Sequence, residues 1–373
     1  MNEIKSTGLT LGPARTIADA GVSSPLALAV DWRAGLLVYS THRAGGCELR
    51  VCELAGDHGL VLLSGLSNVT SIALNPFTGK MYWAHSPRGH VIEEASLDGS
   101  RRRVLVERAD LLGVKSLRMD IPGSRLYWVN VDSGTIMYHD FKTNKVDYVQ
   151  LSPGSHPTAL ELHDGFLYFA EEESLKRCHV DDCTKPEVFK NNTDGVIALR
   201  VFDARQQPAQ GGACATRKCA HVCLPVSDTD SVCRCATGYT AHGDNCTGAE
   251  ELLIYSVSWE VRGLQLDGDN STDVLAPVSQ LSMASALDYY AAEDFLYWAD
   301  AESGTIWRVR RDGSGRSSVL LQQDSELTHT DSLAGLAVDW GGGNVYWLDP
   351  RRGLLQTARL NGSHPYVVMD IDP

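Results

Sequence analysis

The sequence predicts an all-β chain in which four-stranded β-propeller blades lie on either side of a small disulfide-rich module. Three observations support this class. An aromatic strand motif recurs at intervals of 41 to 49 residues, six of the ten cysteines are crowded into one short segment, and tight-turn dipeptides separate the predicted strands. One four-stranded blade uses about 40 to 50 residues of chain, so the motif interval matches one blade per repeat.

Each repeat divides into predicted strands in a fixed order. An apolar strand ends in an acidic residue or Asn, a turn with Gly or Pro follows, and then comes a strand with a pair of aromatic residues, as in residues 336–349. An alternating strand such as residues 306–310 precedes an Asp-Gly or Asn-Gly turn, whose glycine tolerates the positive φ of a tight hairpin. These turns lie at Asp98-Gly99, Asp267-Gly268, Asp312-Gly313 and Asn361-Gly362. The order is that of an antiparallel meander.

The aromatic strands are predicted to pack neighbouring blades together. Consecutive residues of a strand point to opposite faces, so two adjacent aromatic side chains can fill the interfaces on both sides of one blade. The first aromatic positions of the copies are Tyr39, Tyr82, Tyr127, Tyr168, Tyr297 and Tyr346, with a degenerate copy at Tyr255.

Acidic residues recur where the aromatic strand ends, as at Asp300 and Asp349. We expect them to accept hydrogen bonds from neighbouring backbone, because packing needs the same residue in every blade whereas catalysis normally needs one special site. A hydrolase with carboxylates in a central channel is the alternative. The sequence contains no Gly-x-Ser-x-Gly nucleophile elbow, no Walker phosphate-binding loop, no His-Glu-x-x-His zinc-binding helix and no kinase signature. It therefore predicts a non-catalytic protein without cofactor or metal.

The crowded cysteines indicate an oxidising compartment. A zinc site is one interpretation, but there is no C-x-x-C pair, and His221 and His242 do not form a paired ligand set. A module of about 35 residues is too small to fold by hydrophobic burial alone, so disulfides are favoured. The spacing by itself leaves fifteen pairings of six cysteines open.

The other four cysteines form two local pairs, Cys47 with Cys52 and Cys178 with Cys183. We expect a disulfide across a hairpin end in each pair. Free buried thiols are the alternative, since closeness in sequence does not ensure the geometry of a bridge.

Five N-x-S/T sequons also indicate a secreted or cell-surface chain, with glycans on exposed turns. They lie at Asn68, Asn191, Asn245, Asn270 and Asn361.

The charge balance and the short apolar runs exclude two classes of protein. The formal charge is −14, from 33 basic and 47 acidic residues, which predicts no nucleic-acid partner. Apolar runs such as residues 26–30 are far shorter than the roughly 20 residues that cross a bilayer, so this segment is not expected to span one.

The Arg101-Arg102-Arg103 run is interpreted as an exposed hairpin, with binding of heparan sulfate or another acidic partner as the alternative. The first residues also lack a secretory leader, from which we expect a missing start or a piece of a longer chain.

The aromatic blades and the cysteine spacing together resemble the low-density lipoprotein receptor family. The spacing is Cys214-x4-Cys219-x3-Cys223-x9-Cys233-x-Cys235-x10-Cys246, with Gly238-Tyr239 before the last cysteine. In that family six Tyr-Trp-Thr-Asp-type (YWTD) blades form one propeller, and an epidermal-growth-factor-like (EGF-like) module docks beneath it. The resemblance implies disulfides between Cys214 and Cys223, Cys219 and Cys233, and Cys235 and Cys246. It implies no calcium in the module, because residues 207–213 lack the acidic cluster of the calcium-binding type.

The number of repeats departs from that family and predicts two incomplete propellers. We expect residues 1–212 to be the C-terminal blades of a first propeller, residues 213–247 the EGF-like module, and residues 248–373 the N-terminal blades of a second propeller. A single closed ring of about seven blades, with the module inserted, is the alternative.

The resemblance implies a non-catalytic ectodomain segment of a membrane-anchored endocytic receptor, at the cell surface and in endosomes. Small cysteine-rich modules with an acidic calcium cage capture most ligands in that family, and this sequence has none. The segment is therefore expected to space neighbouring receptor modules and to assist acid-dependent ligand release. The implied partners of the parent are lipoproteins, protease–inhibitor complexes and a receptor chaperone. The alternative is a matrix or Wnt co-receptor propeller that binds a protein ligand directly.

Two histidines are predicted to respond to pH. His85 replaces the final Asp of a blade motif, and His90 lies nearby. Because the charge of His changes between pH 5 and 8, we expect these two to alter a contact between modules in an acidified endosome.

Overall fold

The predicted all-β class is confirmed by the computed structural model, which describes most of the chain. The described residues are 3–7, 15–18, 24–43, 46–85, 91–108, 111, 113–193, 195–207, 211–257, 259–266, 274–279, 281–320 and 333–371. Their sheets are antiparallel, and the helical structure among them is one short 3-10 turn at Ala204–Gln206. No helix within these ranges is long and apolar enough to cross a membrane.

A two-stranded sheet and four four-stranded sheets precede the cysteine-rich module. The two-stranded sheet pairs β1 (Ile4–Ser6) with β2 (Arg15–Ala18). Blade A consists of β3 (Leu28–Asp31), β4 (Leu36–Arg43), β5 (Gly46–Glu53) and β6 (Leu60–Leu66), and blade B of β7 (Val69–Asn75), β8 (Lys80–His85), β9 (Val91–Ser96) and β10 (Arg103–Glu107). Blade C consists of β11 (Val114–Asp120), β12 (Arg125–Asn130), β13 (Thr135–Asp140) and β14 (Lys145–Tyr148), and blade D of β15 (Pro157–His163), β16 (Phe166–Glu171), β17 (Ser174–His179) and β18 (Asp182–Asn191).

The module and three further sheets complete the described chain. The module has two hairpins, β19 (Val222–Pro225) with β20 (Ser231–Arg234) and β21 (Tyr239–His242) with β22 (Asn245–Gly248). Blade E consists of β23 (Leu252–Val257), β24 (Glu260–Gln265) and β25 (Val278–Ser279), and blade F of β26 (Ala284–Tyr290), β27 (Phe295–Asp300), β28 (Thr305–Arg310) and β29 (Ser317–Leu320). Blade G consists of β30 (Gly335–Asp339), β31 (Asn344–Asp349), β32 (Leu354–Arg359) and β33 (Tyr366–Asp370).

The Asn-Gly and Asp-Gly turns fit closely against neighbouring blades. Gly362 has a φ of 84°, and a Cβ there would lie 1.7 Å from the carbonyl oxygen of Val319 in blade F. Gly99 repeats this arrangement against Leu62 of blade A, with a φ of 82°. Glycine is therefore needed at these turns both for the left-handed conformation and for the close approach. The Asp267-Gly268 turn lies outside the described residues.

The aromatic pairs pack both sides of a blade, as the alternation along a strand predicts. Tyr82 lies in the apolar cluster between blades B and C, whereas its neighbour Trp83 lies in the cluster between blades A and B. Tyr297 and Trp298 divide in the same way between the F–G and E–F clusters. Each of these two aromatic pairs therefore joins three consecutive sheets.

Polar groups at the strand ends add a second repeated link between blades. Asp300 accepts hydrogen bonds from the backbone N–H groups of Ser282, Glu302 and Ser303. The hydroxyl of Ser285 donates to the carbonyl of Leu333, which leads into blade G, and Thr70 donates in the same way to Val114 of blade C. These carboxylates and hydroxyls are satisfied by backbone groups, which is the structural use that their repetition predicts.

Candidate functional site

Three disulfides hold the cysteine-rich module together. They join Cys214 to Cys223, Cys219 to Cys233, and Cys235 to Cys246. This is the pairing that the resemblance to EGF-like modules implies. Since the module contains only two short hairpins, these covalent links define its shape.

The two local cysteine pairs behave differently. Cys178 is the next-to-last residue of β17 and Cys183 is the second residue of β18, so the turn between the strands brings their Cα atoms to 5.0 Å and a disulfide joins them. The disulfide expected between Cys47 and Cys52 is wrong, because both thiols are free and buried. The two cysteines lie on the single strand β5, where five residues span about 17 Å and an odd separation places the side chains on opposite faces. Cys47 accordingly packs toward blade B and Cys52 toward β1 and β2.

The module docks on blades A and B through an apolar contact and polar contacts at its edge. Val222 and Leu224 of β19 are fully buried in the apolar cluster that contains Trp83. Arg33 donates to the Asp228 carboxylate at 2.9 Å, and its guanidinium carbon lies 4.4 Å from the centre of the Phe77 ring. The module is thus fixed to the blades that precede it by burial and by charge.

A buried arginine fixes the other side of the module to blade F. Arg311, only 5% exposed, donates to the Asp294 carboxylate at 3.0 Å and to the Ala249 carbonyl, which follows the module, at 2.9 Å. The Tyr239 hydroxyl of the module and the Tyr289 hydroxyl of blade F both donate to the same Asp294 carboxylate. Burial raises the pKa of both tyrosines, so both remain hydrogen-bond donors at neutral pH. A cavity of about 620 Å³ lies beside this cluster, with Glu250 and Glu251 among its lining residues.

Blades A and F also contact each other at the same place. The backbone N–H of His58, in the β5–β6 turn, donates to the Asp312 carboxylate at 2.8 Å. Arg310 lies 3.5 Å from the carboxylate of Asp57. We call the meeting point of the β5–β6 turn, the module and the β28–β29 turn the three-part junction. It is the candidate functional site of this chain, because it fixes how the parts are oriented.

The predicted pH-sensitive histidine His85 lies within a blade. It is 7% exposed, and its Nε2 lies 3.0 Å from a carboxylate oxygen of Glu93 on the adjacent strand. Burial lowers the pKa of His85, and Arg102 lowers it further, while Glu93 opposes the shift. His90 lies outside the described residues. The expected role of these histidines between modules stays a prediction.

The arginine run is paired with carboxylates of its own blade. Arg102 donates to Glu93 at 2.8 Å and Arg103 to Glu94 at 2.6 Å. Both glutamates are buried, whereas Arg103 is more than half exposed. Two of the three charges of this run therefore serve the hairpin in which they lie.

Four of the five predicted glycosylation sites are exposed, and their use stays a prediction. They are Asn68, Asn191, Asn245 and Asn361, whereas Asn270 lies outside the described residues. The exposed positions include the β6–β7 connection and a turn of blade G.

Two groups of side chains in the described ranges have metal-ligand character. In one, His221 lies near Cys235 and Cys246, but those sulfurs are bonded to each other and cannot act as thiolate ligands. In the other, His163 lies near Asp164 and Asp203, and Arg205 donates to both oxygens of Asp203. A guanidinium therefore already supplies the positive charge at the second group.

Sequence reasoning missed the segment that follows blade D. Residues 196–203 run beside β15, where the Thr158 hydroxyl donates to the Val196 carbonyl at 3.2 Å. This repeats the link from Thr70 to blade C. Arg200 and Arg118 both reach the Glu161 carboxylate, at 3.1 and 3.2 Å. The signal was the short apolar pattern of residues 196–201, which lacks the aromatic pair that marks the other blades.

Comparison with known proteins finds similar curated sequences. No family model matches the chain. The chain is 31% identical over 232 residues to human low-density lipoprotein receptor-related protein 4, and 30% identical over 226 residues to the rat protein of that name. These matches cover 60% and 58% of the chain, which spans 12% of the length of each relative.

Two solved structures overlap the chain loosely. The nidogen–laminin complex has a TM-score of 0.30 at 12% identity, covering 96% of this chain and 84% of that chain. A protein of unknown function from Bacteroides thetaiotaomicron has a TM-score of 0.36 at 11% identity, covering 88% and 68%. Overlaps with TM-scores this low carry no argument.

Four-stranded blades joined by a docked, disulfide-stapled module define a multi-module, all-β chain of the propeller type. The chain is similar to the low-density lipoprotein receptor-related proteins over about 60% of its length. Landmarks such as residues 253–256 and 276–279 resemble low-density lipoprotein receptor-related protein 1 in particular, and that finer resemblance stays a prediction.

Proposed function

We propose that this chain is a non-catalytic ectodomain segment of an endocytic receptor, and that it spaces and orients neighbouring ligand-binding modules. The observation that carries the proposal is the three-part junction. The module is held on one side by Arg33 and on the other by the buried Arg311, and blades A and F meet directly through His58 and Asp312. A segment held in this way transmits orientation along a receptor, because its parts cannot turn independently.

The proposed division of the chain is residues 1–212, 213–247 and 248–373. Two tyrosines support it. Tyr168 of blade D and Tyr346 of blade G are partly exposed, whereas Tyr82, Tyr127 and Tyr297 are at most 2% exposed. In blades B, C and F this tyrosine packs against the next blade, so the partly exposed Tyr168 and Tyr346 support an open face at the end of each series.

The location proposed for the parent is the extracellular side of the cell surface, and endosomes after uptake. Its proposed partners are lipoproteins, protease–inhibitor complexes and a receptor chaperone, which other modules of the parent would bind. Similarity to receptor-related proteins supports a protein ligand. The four disulfides support an oxidising compartment. Acid-dependent release is supported by the lowered pKa of His85.

A binding measurement tests the spacer role against direct ligand capture. The purified chain is immobilised at pH 7.4, and a lipoprotein, a protease–inhibitor complex and the receptor chaperone are passed over it. A cysteine-rich ligand-binding module of the same receptor family serves as the positive control. The spacer role predicts saturable binding to the control module and none to this chain up to micromolar concentrations. Saturable binding of any of the three to the chain would contradict it and favour a propeller that binds ligand directly.

A further inference from the structure

Residues 196–203 have the sequence of an inner blade strand. They read Val-Ile-Ala-Leu-Arg-Val-Phe-Asp after Gly195, and the inner strand β11 reads Val-Lys-Ser-Leu-Arg-Met-Asp after Gly113. Both glycines are left-handed, with φ of 71° and 68°. The chain therefore enters the two segments in the same conformation, and a Leu-Arg pair follows at the same distance from the glycine.

The segment also occupies the position of an inner strand. The Thr158 hydroxyl of blade D donates to the Val196 carbonyl at 3.2 Å, as the Thr70 hydroxyl of blade B donates to the Val114 carbonyl of β11. Within the described ranges, however, no strand pairs with residues 196–203. The segment is therefore the inner strand of a blade whose other strands do not lie beside it.

Blade E lacks the kind of strand that this segment represents. In blade F the aromatic strand β27 pairs with the inner strand β26 on one edge and with β28 on the other. The corresponding strand of blade E, β23, carries Ile254-Tyr255 at the aromatic positions and pairs with β24. Its inner edge has no partner strand among the residues that the structure describes. An unpaired strand edge is a template for a further strand.

Blade D has an apolar face on the side where a following blade belongs. Leu167 and Phe169 of β16 pack against blade C, so the alternate residues Phe166 and Tyr168 point to the other side. Phe166 is exposed, and so is Phe189, whose ring meets that of Tyr168 edge-on. Blades B, C and F carry the next blade on this same side.

Blade E has a matching face on the side where a preceding blade belongs. Ile254 packs toward blade F, so Leu253, Tyr255 and Val257 point away from that blade. Leu253 and Val257 are exposed. At the place of Tyr255, blades B, C, F and G have a tryptophan that is at most 2% exposed and packs on the preceding blade.

We propose that two copies of this chain associate by strand exchange. Residues 196–203 of one copy pair with β23 of the second copy, and the apolar face of blade D packs on blade E of that copy. The joint completes a four-stranded blade. It also covers Ile197 and Phe202, which are 86% and 79% exposed in one copy.

The partner is a second copy because one copy cannot form the joint with itself. Blade F is held to blade A at the three-part junction, whereas blades B and C lie between blade A and blade D. Each copy has one strand to give and one blade E to complete, so reciprocal exchange satisfies both and closes a two-fold dimer. This inference goes beyond the proposed function, whose binding test does not depend on the number of copies.

The contact between blades F and G shows which polar groups the joint engages. The Tyr297 hydroxyl and the Arg308 guanidinium both donate to the Leu360 carbonyl of blade G, each at 3.2 Å. Tyr297 pairs with Arg308 across its sheet, and Tyr168 pairs with Arg177 in the same way in blade D. Tyr168 and Arg177 therefore hold the places from which a following blade is bound.

The carbonyl that they would bind is present in blade E. The Leu360 N–H donates to Gly343, the residue before the aromatic strand β31, and the Leu266 N–H donates to Glu251, the residue before β23. Leu266 thus corresponds to Leu360. In the dimer the tyrosine and the arginine of blade D donate to the Leu266 carbonyl of the second copy.

The mass of the full chain in solution and a photo-cross-link test the exchange. Unlabelled and isotope-labelled copies, with a photo-reactive phenylalanine in place of Ile197, are mixed when dilute, concentrated and irradiated. At micromolar concentrations we expect twice the monomer mass, and cross-links from residue 197 of one isotopic form to residues 252–257 of the other. A monomer at these concentrations would overturn the proposal. Cross-links within one isotopic form only, or a dimer cross-linked elsewhere, would overturn it too.

Three variants locate the joint. Leu253→Asp puts a carboxylate on the face of blade E and is expected to raise the dissociation constant at least about tenfold, because the charge loses water on association. Leu28→Asp, at an inner-strand leucine of blade A that is 53% exposed against 51% for Leu253, is expected to dimerise like the wild type. Ala198→Pro prevents pairing of the exchanged strand and is expected to abolish the dimer, while the melting temperature of the dilute monomer stays unchanged. Equal dissociation constants in Leu253→Asp and Leu28→Asp would contradict the exchange.

Discussion

Removing the guanidinium of Arg311 should separate blade F from the module. In Arg311→Met the chain keeps an apolar side chain of similar length, but the Asp294 carboxylate loses its charged donor and the Ala249 carbonyl loses its partner. Loss of one partner of a buried ion pair costs roughly 3–5 kcal/mol. The Asp294 side chain is 22% exposed and keeps the hydrogen bonds from the two tyrosine hydroxyls. We therefore expect the free energy of unfolding to fall by roughly 2–3 kcal/mol in Arg311→Met.

The neighbouring residue provides a matched control. Arg310 lies 3.5 Å from Asp57, and the side chains are 46% and 39% exposed, so Arg310→Met should cost about 1 kcal/mol or less. Both variants are compared by urea unfolding at pH 7.5, followed by the tryptophan fluorescence of the chain. Equal losses of unfolding free energy in the two variants would refute the argument that the buried Arg311, and not surface charge in general, holds the module.

The remaining predictions concern thiols, protons and packing. Alkylation without reductant should label Cys47 and Cys52 only after unfolding, because both thiols are buried and burial raises the pKa of Cys52 to about 12. A mass spectrum that showed labelling of any other cysteine would contradict the disulfide assignment. His85→Gln should reduce the loss of thermal stability between pH 7.5 and 5.0. The pKa of His85 is lowered in the folded chain, so the wild-type chain loses stability as the pH falls through about 6.5. An unchanged loss of thermal stability in the variant would contradict this prediction. Trp83→Ala should cost about 3–5 kcal/mol, whereas Trp340→Ala, at a side chain 78% exposed, should cost under about 0.5 kcal/mol in the same denaturation assay.

The sequence predicted the blades well because their signals are local and repeated. A strand that alternates Tyr and Trp between two faces needs no long-range information to be recognised, and Tyr82 and Trp83 fill the two interfaces as expected. The predicted Cys47–Cys52 disulfide was wrong because the distance in sequence does not distinguish two residues on one extended strand from two residues across a turn. The position of the hairpin turn decides this, and for Cys178 and Cys183 the turn falls between them.

The three-part junction was not predictable because it depends on contacts between distant parts of the chain. His58 and Asp312 are 254 residues apart, and His58 and His221, whose rings stack, carry no common motif. The two histidines that were predicted to respond to pH were chosen from their place in a repeat. His85, which lies within the described residues, is inside a blade. Docking between modules is set by which turns meet in space, and repeat analysis treats those turns as equivalent.

The central claim is that the cysteine-rich module locks the two blade series into one arrangement. Hydrogen exchange tests it most directly at two backbone amides, because the Thr237 N–H donates to the Gly59 carbonyl of blade A and the His58 N–H donates to Asp312 of blade F. At pH 7.5 we predict that both amides exchange as slowly as amides within the blade strands. Exchange of both at the rate of unprotected turn amides, in a chain whose blade strands remain protected, would contradict the claim.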